Sequence, residues 1–516
     1  MRRILATLLA AAAAGLLPQP GAAADRLPPG VAWHTGDVDS AFALARQQGR
    51  PLFLYWGAVW CPPCNQVKAT VFGRQDFIAR AQLFVPVYVD GDAPGAQALG
   101  TRFKVSGYPT MILFRPDGAE ITRLPGEVDG DSYMSALALG ASRARPVRDL
   151  VAAARAGKAL AVDDWRLLAF YSWETDEQAV LPRDQRVAVL WQLAQASTAA
   201  APDASARLAL KAMSAAGRAP ADNPAFDKPA ALRRLRATLA SPPLARANFA
   251  ELAYGAGVLP GYLTEPGTPA REQLLREWDR ALLRQVADGS LARLDRIAAT
   301  DARVSLARVD APKAALPLPL LTEVRAVTHR AVRESTDRYE REAVVFASSQ
   351  LLAEAGLLDE SDALLDAELK RSATPYYLML GLAANARTRG DTAAALAWYE
   401  QAYAGAQGPA TRLQWGAAYV RALVELAPAD DARIEHAAGS VIGELEPRPE
   451  TFHARNTAVL NRMGTRLNDW NKDGSHGAAL GRLRQRLSTV CVKLPAGAPE
   501  RATCSGALAE PSARAG

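Results

Sequence analysis

The stretch GAVWCPPCNQV, residues 57–67, sets Cys61 and Cys64 two positions apart, with Trp60 ahead of them and Pro62 and Pro63 between them. Cysteines at this spacing can form a redox dithiol, half of a zinc site or a structural clip. A structural zinc site needs four ligands, usually as two paired clusters. The other two cysteines, Cys491 and Cys504, are too widely spaced to make a second such pair, and the histidines at 34, 329, 436, 453 and 476 are scattered. No metal is therefore assigned. A dithiol has a clearer chemical logic. If Cys61 stands at a helix N-terminus, unpaired N–H groups and the helix dipole favour its thiolate, which makes it the attacking nucleophile. Cys64, one turn on, would face inward and resolve the mixed disulfide. Pro62 and Pro63 fit the first helical turn without losing an intrahelical bond. They also remove two N–H donors from the neighbourhood of the Cys61 sulfur, which weakens thiolate stabilisation.

The surrounding pattern supplies that setting. PLFLYW, just before the motif, is a continuous apolar run of strand length, as expected of a strand buried on both faces. The motif opens a helical stretch running towards Phe72, and LFVPVYVD reads as a second buried strand. TMILFR and EITRL, separated by the turn signal PDG, read as an antiparallel hairpin. Helical segments precede the first strand, follow the second and close the unit. The predicted order is α-β-α-β-α-β-β-α, a mixed sheet with helices on both faces.

These residues carry a resemblance. WCPPC after a buried strand, VSGYPT some 45 residues on, and the ILFRPDGAEITRLPG hairpin are similar to the thioredoxin fold over about 31–145. The lead-in AFALARQQGRPLFLYWGAVWC most resembles exported thioredoxin-like domains that handle protein disulfides. The resemblance implies a cis peptide at Pro109 and a substrate groove lined by Trp60, Tyr108, Pro109 and Thr110, with Gly107 and Gly126 allowing close approach. It also exposes two departures. Tyr55 stands six residues before Cys61, where thioredoxins carry a buried aspartate, and the lysine that partners that acid aligns with Pro86. The usual proton route to the resolving cysteine is thus missing. Glu120 and Asp90 are acids nearby in sequence, but neither can be assigned to Cys64.

At 516 residues the chain has room for about three domains. A hydrophobic fraction of 49% is ample for packed cores, and a net charge of +6 without a long basic tract gives no nucleic-acid or anionic-membrane surface. Residues 1–24 read as a cleaved signal peptide: Arg2 and Arg3, an apolar run over 4–17, then Ala22-x-Ala24 before Asp25. Loss of the two arginines leaves 58 basic against 54 acidic residues, a net of +4. No later run is long and apolar enough to span a bilayer. The expectation is a periplasmic protein without a membrane span after cleavage, in an oxidising compartment.

Residues 25–145 are assigned to the thioredoxin-like domain. The rest is rich in Ala, Leu and Arg with helical periodicity, a large all-α region read as a helical subdomain (146–309), a proline-rich joint (310–321) and a tetratricopeptide-like subdomain (322–490). Gly356 and Gly390 lie 34 residues apart, the period of tetratricopeptide repeats. Residues 375–404 resemble such a helix pair, with Ala395, Tyr399 and Ala402 at the small and aromatic positions. Over 341–371 the resemblance is weaker, Ser361 and Glu368 replacing small residues. Such stacks commonly offer a protein-binding face. The tryptophans at 165, 173, 191, 278, 398 and 415 are read as packing residues. NDWNKDGS spaces Asp469, Asn471 and Asp473 like a calcium loop, but Leu480 holds the place of the bidentate glutamate, and a solvated loop is expected.

Residues 491–516 are expected to be a loosely ordered tail, with Cys491 and Cys504 as a structural disulfide; a second redox pair exchanging with Cys61–Cys64 is the alternative. The composite reading is a periplasmic thiol–disulfide oxidoreductase without a cofactor, in direction more reductase than oxidase or isomerase. It would act on protein thiols and disulfides, draw electrons from an unidentified partner, and bind or position a protein through its helical region. The competing reading is an envelope scaffold whose thioredoxin-like domain is a redox-controlled docking module.

Overall fold

The computed structural model describes residues 27–509 apart from 106, 127–128, 143–144 and 224–225; the expected signal segment lies outside the described residues. The chain folds as an N-terminal thioredoxin-like α/β domain followed by a long all-helical region.

The α/β domain runs α1 (Val38–Gln48), β1 (Leu52–Gly57), α2 (Pro62–Val67), α3 (Gln75–Ala81), β2 (Val85–Asp90), α4 (Ala96–Arg102), β3 (Thr110–Phe114), β4 (Glu120–Leu124) and α5 (Gly130–Ala141). The helix expected to run unbroken from the motif to Phe72 instead passes into a π turn at Lys68–Phe72. The strand order is β2-β1-β3-β4, with β1 parallel to β2 and antiparallel to β3. A parallel pair needs a crossover, and α2, the π turn and α3 provide it. All six residues of β1 are buried, because one face of the sheet packs on Phe42 of α1 and Phe103, the other on Phe72, Phe77 and Leu137. The PDG segment makes the hairpin turn with Gly118 at φ 91°, a conformation that favours glycine.

The helical region grips this domain at several places. Near its start, the Ser172 N–H donates to the Arg123 carbonyl on β4 at 3.0 Å, so the chain covers the sheet edge. The Arg123 guanidinium, 1% exposed, donates to the carbonyls of Phe103, Lys104 and Thr175 and to Glu120. Near its end, the helices Pro375–Thr388, Pro409–Leu426 and Ala454–Trp470 join the apolar cluster that contains Cys61 and Cys64. The helix Arg338–Glu354 packs on α2 and the π turn.

Two expectations are corrected. The proline-rich joint is no break between subdomains: Leu318–Glu334 is already helical, and Leu294, Ile297 and Val304 share one core with Leu316, Leu320 and Val344. Pro317 and Pro319 sit at the N-cap and in the first turn, where proline starts a helix rather than ending one. The chain end is not a loose tail over its described part. Pro499–Gly506 is a helix, and Cys504, Ala507 and Leu508 are buried against Cys491 and Leu494. A disulfide joins Cys491 to Cys504, with Cα atoms 5.6 Å apart. The tail composition misled because a few buried residues, Cys504, Ala507 and Leu508, are enough to dock this segment.

Around Gly356 and Gly390, both in the left-handed region at φ 85° and 77°, the helices form successive pairs, Arg338–Glu354 with Leu358–Leu369 and Pro375–Thr388 with Thr392–Gly405. Ala395, Tyr399 and Ala402 are buried between neighbours. The polar replacements in the first pair are satisfied: Ser361 donates to the Ser349 carbonyl and accepts from Asn385, and Glu368 pairs with Arg341 at 2.6 Å. Among the described residues no helix is long and apolar enough to cross a membrane.

Candidate active site

The site is built at the end of β1. Gly57 ends the strand, and Cys61 is the N-cap of α2, its Sγ accepting the Cys64 N–H at 3.2 Å. Pro62 and Pro63 take the first two helical positions, so the Cys64 N–H is the first backbone donor the helix offers. Cys61 and Cys64 are joined as a disulfide with Cα atoms 5.1 Å apart. Cys64 is wholly buried and Cys61 is 2% exposed.

The Tyr108–Pro109 peptide is cis. Gly126 comes against the Pro109 ring, where a Cβ would stand 3.0 Å from it. The Thr110 hydroxyl donates to the Gly107 carbonyl at 2.8 Å, and Tyr108 lies edge-on to Trp60 with centroids 6.1 Å apart. Of the four residues expected to line a substrate groove, Trp60 adjoins Cys61 and Tyr108 packs on Trp60, with Pro109 and Thr110 next to it in the chain.

Trp60 and Tyr108 are covered by the helical region. The Trp60 indole N–H donates to the Thr411 hydroxyl at 2.7 Å, and the ring packs edge-on against Trp415 at 4.7 Å and stacks on Tyr377 at 5.7 Å. The Arg455 guanidinium covers Trp60 and Tyr108, 5.4 Å and 4.6 Å from their centroids. Asp92, after β2, accepts from the Thr411 N–H and hydroxyl at 2.9 and 2.5 Å. Burial raises the Asp92 pKa above the usual carboxylate range, the Thr411 bonds opposing the shift. Gly408 makes this approach possible, since a Cβ there would strike the Asp92 carboxyl and its φ is 88°. Burial likewise pushes the Tyr377 hydroxyl up to about 12, with Arg455 pulling the other way.

The replaced proton route is visible. Tyr55 is fully buried, its ring stacked on Tyr88 at 5.1 Å, and its hydroxyl has no hydrogen-bond partner among the described residues. Burial raises its pKa far above that of a free phenol. Pro86 pairs with Phe53 in the sheet, one side-chain pair away from Tyr55. Glu120 is engaged with Arg123 on the hairpin. Asp90 ends β2 opposite Gly57 and is 8% exposed.

Five residues escaped the sequence reading. Lys68 is 1% exposed one turn after Cys64, its ammonium 5.2 Å from the Tyr339 ring. Its buried position follows from the helical period through Cys64. Tyr377, Thr411 and Arg455 carry no local signal, and Trp415 was legible only as a packing residue. In the NDWNKDGS loop, Asp473 accepts from Ser475 and Asn471 from the His476 N–H, the bonds of an ordinary turn. Among the described residues no three His, Cys, Asp or Glu side chains are grouped to hold a metal ion.

A Cys-x-x-Cys disulfide at a helix N-cap, a cis-proline immediately before β3 and this sheet order define a thioredoxin-like domain, and residues 38–140 match the family model of that description. Among curated proteins, the chain is 34% identical over 104 residues to the thiol:disulfide interchange protein DsbD of Pseudomonas fluorescens, covering 19% of this chain and 18% of that protein. It is 31% identical over 103 residues to DsbD 2 of Pseudomonas aeruginosa, with 19% and 18% covered. The chain thus spans less than a fifth of the length of these relatives. A solved thioredoxin from Thermus thermophilus aligns at 29% identity over 21% of this chain and 85% of that one, with a TM-score of 0.20.

Proposed function

We propose that this protein is an exported thiol–disulfide oxidoreductase of the periplasm, working as a reductase, whose helical region governs which disulfide reaches the dithiol. The observation that carries this reading is the N-capping Cys61 linked to buried Cys64 beside cis-Pro109, roofed by Thr411, Trp415 and Tyr377. In the reduced enzyme the Cys61 thiolate attacks one sulfur of a client disulfide, and the other client sulfur leaves as a thiolate. Cys64 then attacks the Cys61 sulfur, forms the Cys61–Cys64 disulfide and releases the second client thiol. Two electrons pass to the client, the protons end on its thiols, and a second dithiol protein restores the pair. No cofactor takes part.

A protein disulfide needs more room than a cysteine that is 2% exposed provides, so the roof must swing clear during each cycle. The tetratricopeptide-like helices carry the roof, and a partner bound to them can open it. This assigns the helical region a role in client choice. Cys491–Cys504 is a structural bond in this scheme, joining the helices Gly477–Cys491 and Pro499–Gly506.

The decisive experiment is trapping in the periplasm with the Cys64→Ser variant, read by mass spectrometry. The expected result is a set of DTT-sensitive adducts at Cys61 that the Cys61→Ser/Cys64→Ser double variant lacks. Absence of adducts at Cys61 defeats the enzyme reading. The burial of the pair favours one rival, in which the oxidised domain is a docking module of an envelope scaffold; there the double variant would retain the same co-purifying proteins.

A further inference from the structure

We infer that Arg455 is the charge partner of the Cys61 thiolate, supplied to the thioredoxin-like domain by the helical region. It makes good the donors that the two prolines remove. The inference rests on the exchange reading and concerns the same site.

Pro62 and Pro63 have no N–H, so of the first three helical positions only Cys64 offers a donor to the Cys61 sulfur. A thiolate at a helix N-terminus ordinarily draws on several such groups. The deficit is met from across the roof. Arg455, near the start of the helix Ala454–Trp470, is half-buried with its guanidinium over the Trp60 and Tyr108 rings. One ring belongs to the residue before Cys61, the other to the residue before cis-Pro109. Tyr377 completes the surround, close enough for Arg455 to influence its hydroxyl. Among the described residues this guanidinium meets rings and no carboxylate, which distinguishes it from Arg412, Arg433 and Arg341, each held by a glutamate. A cation half-buried against the ring of the residue before the nucleophile, with no carboxylate partner among the described residues, attracts the anion when it forms.

The other charged and ionisable groups around the pair do not replace it. Asp90 ends β2, Asp92 follows it, and Asp92 is tied to Thr411; a carboxylate at either place opposes a thiolate. Tyr55 from β1 is held neutral at physiological pH by its burial, and Tyr108 from the cis-proline loop offers Arg455 a ring face. Lys68 and Tyr339 lie one turn beyond Cys64, on the side of the resolving cysteine. Since Arg455 moves with the roof, the charge leaves when the roof opens. The thiolate is therefore favoured with the roof closed, and Cys61 becomes more basic, and more nucleophilic as a thiolate, when a client is admitted.

The test is the pH dependence of Cys61 alkylation by iodoacetamide in the reduced full-length protein, assigned by mass spectrometry, with absorbance at 240 nm alongside. Arg455→Gln raises the Cys61 pKa by roughly one unit, and Arg455→Lys restores most of the shift. Thr411→Val, which loosens the roof while keeping the charge, moves it less than Arg455→Gln does. An unchanged pKa in Arg455→Gln overturns the inference, and so does an equal shift in Thr411→Val, because the effect would then belong to closure and not to charge. The alkylation readout follows Cys61 alone, so it stands or falls separately from the capture of any client.

Discussion

The indole N–H of Trp60 donates to the hydroxyl of Thr411, a residue 351 positions further along the chain. That hydroxyl in turn donates to Asp92, so one threonine ties together the residue before the dithiol and the loop after β2. With Trp415 and Tyr377 against the same indole, the roof is held by hydrogen bonds and ring contacts worth about 1 kcal/mol each. A closed state favoured by a few kcal/mol leaves an open form on the order of 1%. Exchange at this dithiol is then limited by opening unless a partner shifts the balance.

Thr411→Val removes both side-chain bonds at nearly constant volume. It leaves the Trp60 N–H and the buried Asp92 carboxylate short of a partner, at a cost of roughly 1–3 kcal/mol to the closed state. The Cys61–Cys64 disulfide of the variant should be reduced by DTT about tenfold faster than in the parent, measured by quenched alkylation and mass spectrometry. Equal rates would show that the roof does not control access.

The domain that carries the dithiol was legible because its signals are local. The apolar run 52–56, the Cys-x-x-Cys spacing, the PDG turn and the YPT segment each lie within a few residues of the structure they produce, and the observed strands and Cys61 N-cap stand at those places. The roof was illegible for the opposite reason. Thr411 and Arg455 have ordinary helical neighbours, and their role comes from the curvature of a stack of helix pairs that returns the chain to its start. Trp415 read as a packing residue, and it is one: it packs on Trp60, next to Cys61. The proline-rich segment failed as a boundary because proline at a helix start and proline in a linker look alike in sequence.

The disulfide at the chain end closes a short loop. In the chain-entropy model such a bond contributes about 3 kcal/mol, here to the helices Gly477–Cys491 and Pro499–Gly506. Cys491→Ala/Cys504→Ala should lower the thermal midpoint by several degrees and speed proteolysis near the C-terminus. The rate of DTT reduction at Cys61–Cys64 should not change. A change there would instead favour exchange between the two pairs.

Tyr55 occupies the place of a proton-handling acid, yet its hydroxyl is fully buried, has no hydrogen-bond partner among the described residues and titrates far above neutrality. It cannot take a proton from Cys64 at physiological pH. Tyr55→Phe keeps the ring stack on Tyr88 and deletes an unsatisfied polar atom, so stability should hold or rise by about 1 kcal/mol. The pH profile of mixed-disulfide resolution, followed in stopped flow with a model disulfide, should be that of the parent. A shifted profile would return the phenol to the proton route.

Two aspartates on the helix Arg293–Arg308 make the stability of the helical region depend on pH in an unusual sense. Burial, with Asp129 nearby, raises Asp295 to about 7, the Ala292 N–H opposing the shift. Burial and Glu354 raise Asp301 to about 6. In the unfolded chain both titrate near 3.9. Between that value and the folded one, the folded state holds the extra proton, so stability falls as pH rises through about 4 to 7 and levels off above. Asparagine carries no charge to desolvate and can still accept the Ala292 N–H. Asp295→Asn should therefore raise the thermal midpoint by a few degrees at pH 8 and leave it nearly unchanged at pH 4. A parent protein equally stable at pH 5 and pH 8, with no gain from Asp295→Asn at pH 8, would mean that the carboxylate is stabilised in the fold by contacts stronger than its burial.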